Sequence, residues 1–116
     1  MKRGDVVLVR LPHPLRPARQ EAACRGGPVG PYANTVNTVV VAEVTKNLTM
    51  KDDPACLFID VSTSEGKATG LLFDSVVSGL VLVTVYTDTV AQVLGSLSPK
   101  LLQKLDDCLK IGLGLP

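Results

Sequence analysis

Three arginines precede an apolar stretch that ends in a cluster of polar residues. The arginines are Arg16, Arg19 and Arg25, and residues 36–44 lead into Thr45-Lys46-Asn47. Guanidinium, hydroxyl and ammonium groups that donate to one place can stabilise negative charge developing on a phosphate. The same pattern is also typical of a polar strand end that enters a surface loop, and spacing alone favours this simpler interpretation.

The N-terminal quarter is basic, although the whole chain has a net charge of only +1. Residues 1–31 contain every arginine and carry a balance of +4, whereas the remaining residues carry −3. Clustered positive charge of this kind favours a local anion or phosphate site over a broad basic surface that wraps a polyanion. A solvated basic arm without a ligand explains the charge pattern equally well.

Other kinds of catalytic site find little support in the sequence. The single histidine, His13, lies between two prolines, so one chain cannot supply a two-histidine acid–base pair or a metal cluster around it. Cys24, Cys56 and Cys108 are widely spaced, which is typical of small buried side chains in a reducing cytoplasm. We therefore predict a site that uses no metal and no other cofactor.

The composition predicts one mainly β domain over residues 1–116. Apolar residues make up 46% of the chain, but only two Phe and two Tyr are present, so Val and Leu fill the core. The scarcity of aromatic residues argues against a base-stacking sheet, and the apolar content excludes intrinsic disorder. No signal peptide and no apolar run of membrane-spanning length are evident, which predicts a soluble cytoplasmic protein.

Apolar periodicity predicts a series of strands followed by one helix. The predicted strands cover residues 5–11, 36–44, 55–61, 71–73, 76–80 and 81–86. Prolines and glycines predict a long irregular segment over residues 12–35, and residues 62–70 a turn-rich loop. Ser98 and Pro99 have the residue types of an N-cap and a first helical position, and an amphipathic pattern follows them. This order predicts a small barrel or curled sheet with the helix packed against it.

Four short motifs follow one another along the chain. They are Lys2-Arg3-Gly4-Asp5-Val6, the strand 39–45 ending in Thr45, Asp74-Ser75-Val76-Val77, and Gly95-Ser96-Leu97-Ser98 followed by a helix and Ile111-Gly112-Leu113-Gly114-Leu115. In their order and spacing they resemble the MazF/PemK toxin family, and the resemblance covers residues 1–11 and 36–115. Each motif alone is weak, but the ordered set of four is fairly specific.

The resemblance implies a small SH3-like β-barrel with a C-terminal α-helix that forms a homodimer. It implies metal-independent cleavage of single-stranded RNA, in which the ribose 2′-OH attacks the adjacent phosphodiester. It also implies an acidic antitoxin protein as the partner. Thr45 matches the family's catalytic threonine, and Arg25 is the best candidate for its catalytic arginine. The residues expected to bind RNA are Arg16, Arg19, Gln20, Glu21, Lys46 and Asn47.

Two departures from the family pattern leave alternatives open. Arg25 is followed by Gly26-Gly27-Pro28, whereas the family has a proline immediately after its arginine and then an apolar strand. Val81 and Val83 stand where many members carry Gln and Arg. A catalytically inactive homologue that binds an antitoxin-like partner or nucleic acid therefore remains an alternative. An unrelated small β-barrel interaction module is a third, which the absence of a dimer would favour.

Overall fold

A computed structural model describes the backbone of residues 2–13, 16–25 and 37–116, and the side chains of residues 2–10 and 37–116. These described residues form six strands and two helices. Their bounds are β1 (Asp5–His13), β2 (Arg16–Arg25), β3 (Thr38–Thr45), β4 (Cys56–Ile59), α1 (Ser64–Ala68), β5 (Ser75–Tyr86), β6 (Val90–Ser96) and α2 (Pro99–Gly112). A single turn of 3-10 helix, Thr87–Thr89, joins β5 to β6. The predicted mainly β fold with a C-terminal helix is confirmed.

The strands form one antiparallel sheet in the order β4-β5-β3-β2-β1-β6. Val6 of β1, Ala42 of β3 and Leu57 of β4 are buried in the same apolar cluster, although β1 and β4 are distant in the strand order. The sheet therefore curls around a shared core. Its curled shape brings the end of β3 close to β6 and to the loop before β5.

Apolar side chains are buried on both faces of the central strands. Successive side chains of a strand point to opposite faces, and Val6 and Val7 accordingly belong to two different clusters. The first cluster is covered by α2, which contributes Leu101, Leu105, Cys108 and Leu109. Burial raises the pKa of the Cys108 thiol, which therefore stays protonated and packs as a small apolar group.

Helix α2 begins as the sequence predicts. The Ser98 hydroxyl accepts a hydrogen bond from the backbone N–H of Leu101 at 3.2 Å, and Pro99 occupies the first helical position. The same hydroxyl donates to the carboxylate of Glu65 in α1. An ion pair between Arg3 and Asp106 joins the outer face of α2 to the N-terminal segment.

We expect Ser98→Ala to lower the free energy of unfolding by about 1 kcal/mol, because the substitution removes an N-cap. The loss of the hydrogen bond to Glu65 acts in the same direction. Ser98→Thr keeps the hydroxyl and serves as the matched control, with a change of only a few tenths of a kcal/mol expected. Urea unfolding of the three proteins provides the measurement, and equal midpoints for all three would contradict the proposed capping role.

The prediction of an irregular segment over residues 12–35 is wrong for residues 16–25, which form β2. The prolines that suggested a loop lie where the ladder between β1 and β2 is already irregular. The register of this ladder shifts between Leu11 and His13, and Pro12 lies between them. Leu11 pairs with Arg19 and His13 pairs with Arg16, so Pro17 lies within the same irregular stretch of β2. A proline at such a shift removes no regular ladder hydrogen bond, so both strands tolerate it. Residues 26–36 lie outside the described part of the chain.

Three further elements differ from the sequence prediction. The loop predicted over residues 62–70 contains α1, and β6 was not predicted at all. Residues 71–73 are not a strand, while residues 75–86 form one strand with an irregularity at the predicted break. There, Ala42 pairs with Leu82 but Val44 pairs with Val77, so β5 bulges between them. Within the bulge, the Gly79 N–H donates to the Ala55 carbonyl oxygen at 2.8 Å.

Candidate functional site

An open cavity of about 720 Å³ lies where β3 ends. Its polar lining residues are Glu43, Thr45, Lys46 and Ser75. Its apolar wall is formed by Leu8, Val44, Leu71, Leu72, Phe73 and Leu94. Carboxylate, hydroxyl and ammonium groups therefore share one concave surface with apolar side chains, as is usual for a ligand site.

The end of β3 positions the polar groups through strand alternation. Val44 is buried in the core, whereas Glu43 and Thr45 on either side of it are half-buried. Residues two apart in a strand share one face, so Glu43 and Thr45 face the cavity together. The ladder with β5 changes register beside Glu43, and such irregularities often redirect side chains near functional sites.

A tight turn holds the Thr45 hydroxyl. Its oxygen accepts a hydrogen bond from the backbone N–H of Asn47 at 3.1 Å. The side-chain oxygen of Asn47 in turn accepts from the Thr49 backbone N–H at 3.0 Å and from the Thr49 hydroxyl at 2.6 Å. Because the Thr45 oxygen acts as an acceptor here, its own proton can be donated to a bound group.

Lys46 is paired with an aromatic ring at the mouth of the cavity. Its ammonium nitrogen lies 4.9 Å from the centroid of the Phe73 ring, which is within cation–π distance. Both side chains are exposed, and the Phe73 side chain is 59% exposed. The ring thus holds a positive charge beside the cavity while part of its own surface remains accessible.

The middle of β2 runs past the same cavity. Its residue Ala22 pairs with Leu8, which lines the cavity, and Ala23 pairs with Glu43, which also does. Continuing the register between β2 and β3 by two residues places Glu21 across from Thr45. Ala22 and Ala23 are therefore next to cavity residues, and Gln20 and Glu21 directly precede them on β2.

The three arginines of the N-terminal quarter differ in their distance from Thr45. Arg25 pairs with Val41, four residues before Thr45, so the two positions are separated by about 13 Å along the strands. Arg19 is two residues before Glu21, the residue that the continued register places across from Thr45. Arg16 pairs with His13 at the turn between β1 and β2. The side chains of Arg16, Arg19 and Arg25 lie outside the described part of the structure.

Sequence reasoning missed two residues of this cavity. Glu43 is the only charged residue in the strand Thr38–Thr45, which is a signal that could have identified it. Phe73 was assigned to a short strand, but the structure places it in the connection before β5 and exposes it beside Lys46.

Comparison with known proteins identifies the fold through structures rather than through sequence. No protein-family model matches the chain, and no curated protein matches its sequence. An endoribonuclease from a mycobacterial species, solved in complex with its cognate antitoxin, superimposes with a TM-score of 0.77 at 20% identity, covering 100% of this chain and 97% of the other. The Mycobacterium tuberculosis toxin MazF-mt6 superimposes with a TM-score of 0.73 at 16% identity, covering 97% of this chain and 98% of the toxin. The chain has the MazF fold.

A third similar structure is the MazE–MazF complex from Deinococcus radiodurans, with a TM-score of 0.74 at 14% identity and coverage of 100% and 98%. The MazF fold thus extends over the whole chain, which confirms the fold implied by the four motifs. Among the described residues, no group of His, Cys, Asp and Glu side chains is arranged to hold a metal ion. No helix in that part of the chain is long and apolar enough to span a membrane.

Proposed function

We propose that this protein is a toxin of a type II toxin–antitoxin system and a metal-independent endoribonuclease that cuts single-stranded RNA. The observation that carries the proposal is the cavity at the end of β3, where Glu43, Thr45 and Lys46 lie together. The similar structures with the same fold include an endoribonuclease solved with its antitoxin, which supports this choice of activity. The cytoplasm is the proposed location.

The cavity residues can supply what cleavage by a ribose 2′-OH requires. The 2′-oxygen attacks the adjacent phosphorus, the bond to the 5′-oxygen breaks, and a cyclic phosphate and a free 5′-OH result. In this proposal the Glu43 carboxylate accepts the proton of the 2′-OH. The Thr45 hydroxyl and the Lys46 ammonium donate to the phosphate oxygens, on which negative charge builds up. The departing 5′-oxygen takes its proton from a neighbouring acid or from water.

A guanidinium from β2 completes the proposed site. We propose Arg25 for this role and assign Arg16, Arg19, Gln20, Glu21, Lys46 and Asn47 to RNA binding. Arg19 is nearer in register to Thr45 than Arg25 is, so it serves as the comparison in the experiment below. A planar guanidinium can bind two phosphate oxygens at once and remains charged at every relevant pH.

We further propose a homodimer that is inhibited by an acidic antitoxin. The second half of β5 exposes Leu80, Val81 and Val83, each between 40% and 53% exposed. A row of exposed apolar residues on a strand is typical of a surface that a partner covers. The valines that stand in place of polar residues in many MazF/PemK members fit such an interface better than they fit contact with RNA.

We expect the purified protein to cut a long single-stranded RNA in the presence of EDTA at one short motif, leaving 5′-OH ends. Arg25→Ala is expected to abolish this cleavage, because the mutant lacks the donor that stabilises the phosphate charge. Arg19→Ala is the matched variant on the same strand and is expected to weaken RNA binding without abolishing cleavage. Mapping of the RNA ends provides the measurement.

Two results would contradict this proposal in different ways. Intact RNA after incubation with a folded dimer would favour the inactive homologue that binds a partner. Undiminished cleavage by Arg25→Ala, together with loss in Arg19→Ala, would instead transfer the proposed role to Arg19 and leave the activity in place.

A further inference from the structure

Two large apolar residues stand exposed at the mouth of the Thr45 cavity. Leu72 is 84% exposed and Phe73 is 59% exposed, and both belong to the short connection between α1 and β5. A single exposed apolar residue is common and needs no explanation. Here, however, two adjacent ones border a cavity that carries a carboxylate, a hydroxyl and an ammonium group.

The framework of this connection holds the two side chains in place. Gly70 turns the chain with a φ of +76° and packs against the carbonyl oxygen of Leu94. The Ser75 hydroxyl donates to the Phe73 carbonyl oxygen at 2.8 Å, and the Asp74 carboxylate accepts from the Val61 N–H at 3.0 Å. The backbone that carries the Phe73 ring is therefore held by hydrogen bonds at Phe73 itself and at the next residue, Asp74.

We propose that Phe73 is a stacking surface for a nucleobase of the RNA that occupies the Thr45 cavity, with Lys46 binding the phosphate beside that base. The proposal rests on the proposed function and names a part of the substrate site. Proteins that bind single strands combine an aromatic ring for the base with a nearby cation for the backbone. Phe73 and Lys46 form such a pair, with the ammonium 4.9 Å from the ring centroid.

A nucleotide fits this surface better than an apolar protein segment does. The phosphate of a nucleotide complements the charge of Lys46, and its hydroxyl groups complement Glu43 and Thr45. An apolar partner would cover these polar groups without satisfying them, which is unfavourable. The cavity of about 720 Å³ is also within the usual range for small-ligand sites, roughly 300–1,000 Å³.

The chain contains no tryptophan, so a single introduced one reports on stacking directly. We expect the emission of Phe73→Trp, made in a Thr45→Val background that slows cleavage by about 100-fold or more, to be strongly quenched when single-stranded RNA is added. Tyr86→Trp in the same background is the matched control, because Tyr86 is 61% exposed and pairs with Thr38 at the opposite end of β3. Its emission is expected to change little.

Binding of a labelled RNA oligonucleotide gives a second readout, again in the Thr45→Val background. Phe73→Ala is expected to weaken binding by about 5- to 100-fold, as is usual for the loss of one aromatic stacking partner. Phe73→Leu keeps the apolar bulk and is expected to lose nearly as much, while Phe73→Tyr keeps the affinity. Removing the stacked base by an abasic substitution should weaken binding when Phe73 is present and have little effect in Phe73→Ala.

The outcomes separate this proposal from the proposed function. If the Phe73→Trp variant binds RNA but its tryptophan emission is not quenched, the stacking role is overturned, even when the wild-type protein cuts RNA. Quenching by RNA that the wild-type protein never cuts would support the stacking role and contradict the nuclease activity. Unchanged RNA affinity in Phe73→Ala, with loss of the dimer, would show that the surface contacts protein instead. Absence of any RNA binding would overturn both proposals.

Discussion

Replacing Thr45 by valine is expected to lower the rate of RNA cleavage by about 100- to 1,000-fold, if the proposed function is right. Valine preserves the β-branched shape that suits the end of β3, so the substitution removes the hydroxyl and little else. The loss of one preorganised donor to a charged transition state typically has an effect of this size. Initial cleavage rates on a short RNA that contains the preferred motif provide the measurement.

Thr45→Ser is the matched control, because it keeps the hydroxyl and its hydrogen bond from the Asn47 N–H. We expect cleavage within about 10-fold of the wild-type rate, since the smaller side chain only loosens the position of the donor. Equal rates for Thr45→Val and Thr45→Ser would rule out the hydroxyl as a donor. Urea unfolding of both variants separates an effect on chemistry from an effect on folding.

Gly70→Ala is expected to lower the free energy of unfolding by about 3 kcal/mol or more. Gly70 has a φ of +76°, which is unfavourable for a residue with a Cβ atom. A Cβ atom there would also lie 2.2 Å from the carbonyl oxygen of Leu94, which is backbone of β6 and cannot move aside cheaply. The substitution therefore pushes residue 70 away from Leu94 of β6. Both residues line the Thr45 cavity, so the cavity wall is disturbed as well.

Gly114→Ala is the matched control, because it tests the cost of a positive φ without the close contact that a Cβ atom makes at residue 70. Gly114 has a similar φ of +70°, but a Cβ atom there would meet nothing within 4 Å. We expect Gly114→Ala to cost about 1 kcal/mol, the usual penalty of a positive φ. Urea unfolding of the two variants provides the measurement. Equal losses at the two positions would mean that the close contact with β6 contributes nothing to stability.

The four motifs predicted the fold correctly because their residues hold the fold together. The Asp5 carboxylate accepts a hydrogen bond from the Lys2 N–H at 2.8 Å, just before β1. Asp74 accepts from the Val61 N–H, and Ser98 caps α2. Hydrogen bonds of this kind depend on particular residue types at particular positions, so the motifs that supply them can be identified in the sequence. These hydrogen bonds stabilise the fold, and none of them involves Glu43, Thr45 or Lys46 in the cavity.

The elements that sequence reasoning missed lack a local signal. The strand β2 carries proline at its start and mostly polar and small residues after it, and it is stabilised by pairing with β1 and β3 on its two sides. Phe73 belongs to an apolar run that resembles a strand, whereas its exposure follows from the turn at Gly70 and from the hydrogen bonds at Phe73 and Asp74. Thr45 was predictable because a strand end is visible in the sequence, whereas the lining of a cavity depends on contacts between distant segments.

The pairing of β1 with β6 has a consequence for how the protein is made. Val6 pairs with Gly95, and the Leu97 N–H donates to the Gly4 carbonyl oxygen at 2.9 Å. On the ribosome, β1 emerges first and keeps one edge unpaired until β6 has been synthesised, a delay of roughly 4–20 s at typical elongation rates. Leu8 of β1 and Leu94 of β6 both line the cavity, so a chain in which β6 has not yet been synthesised lacks part of the cavity wall. The proposed substrate site is therefore completed only once β6 has been synthesised and has paired with β1.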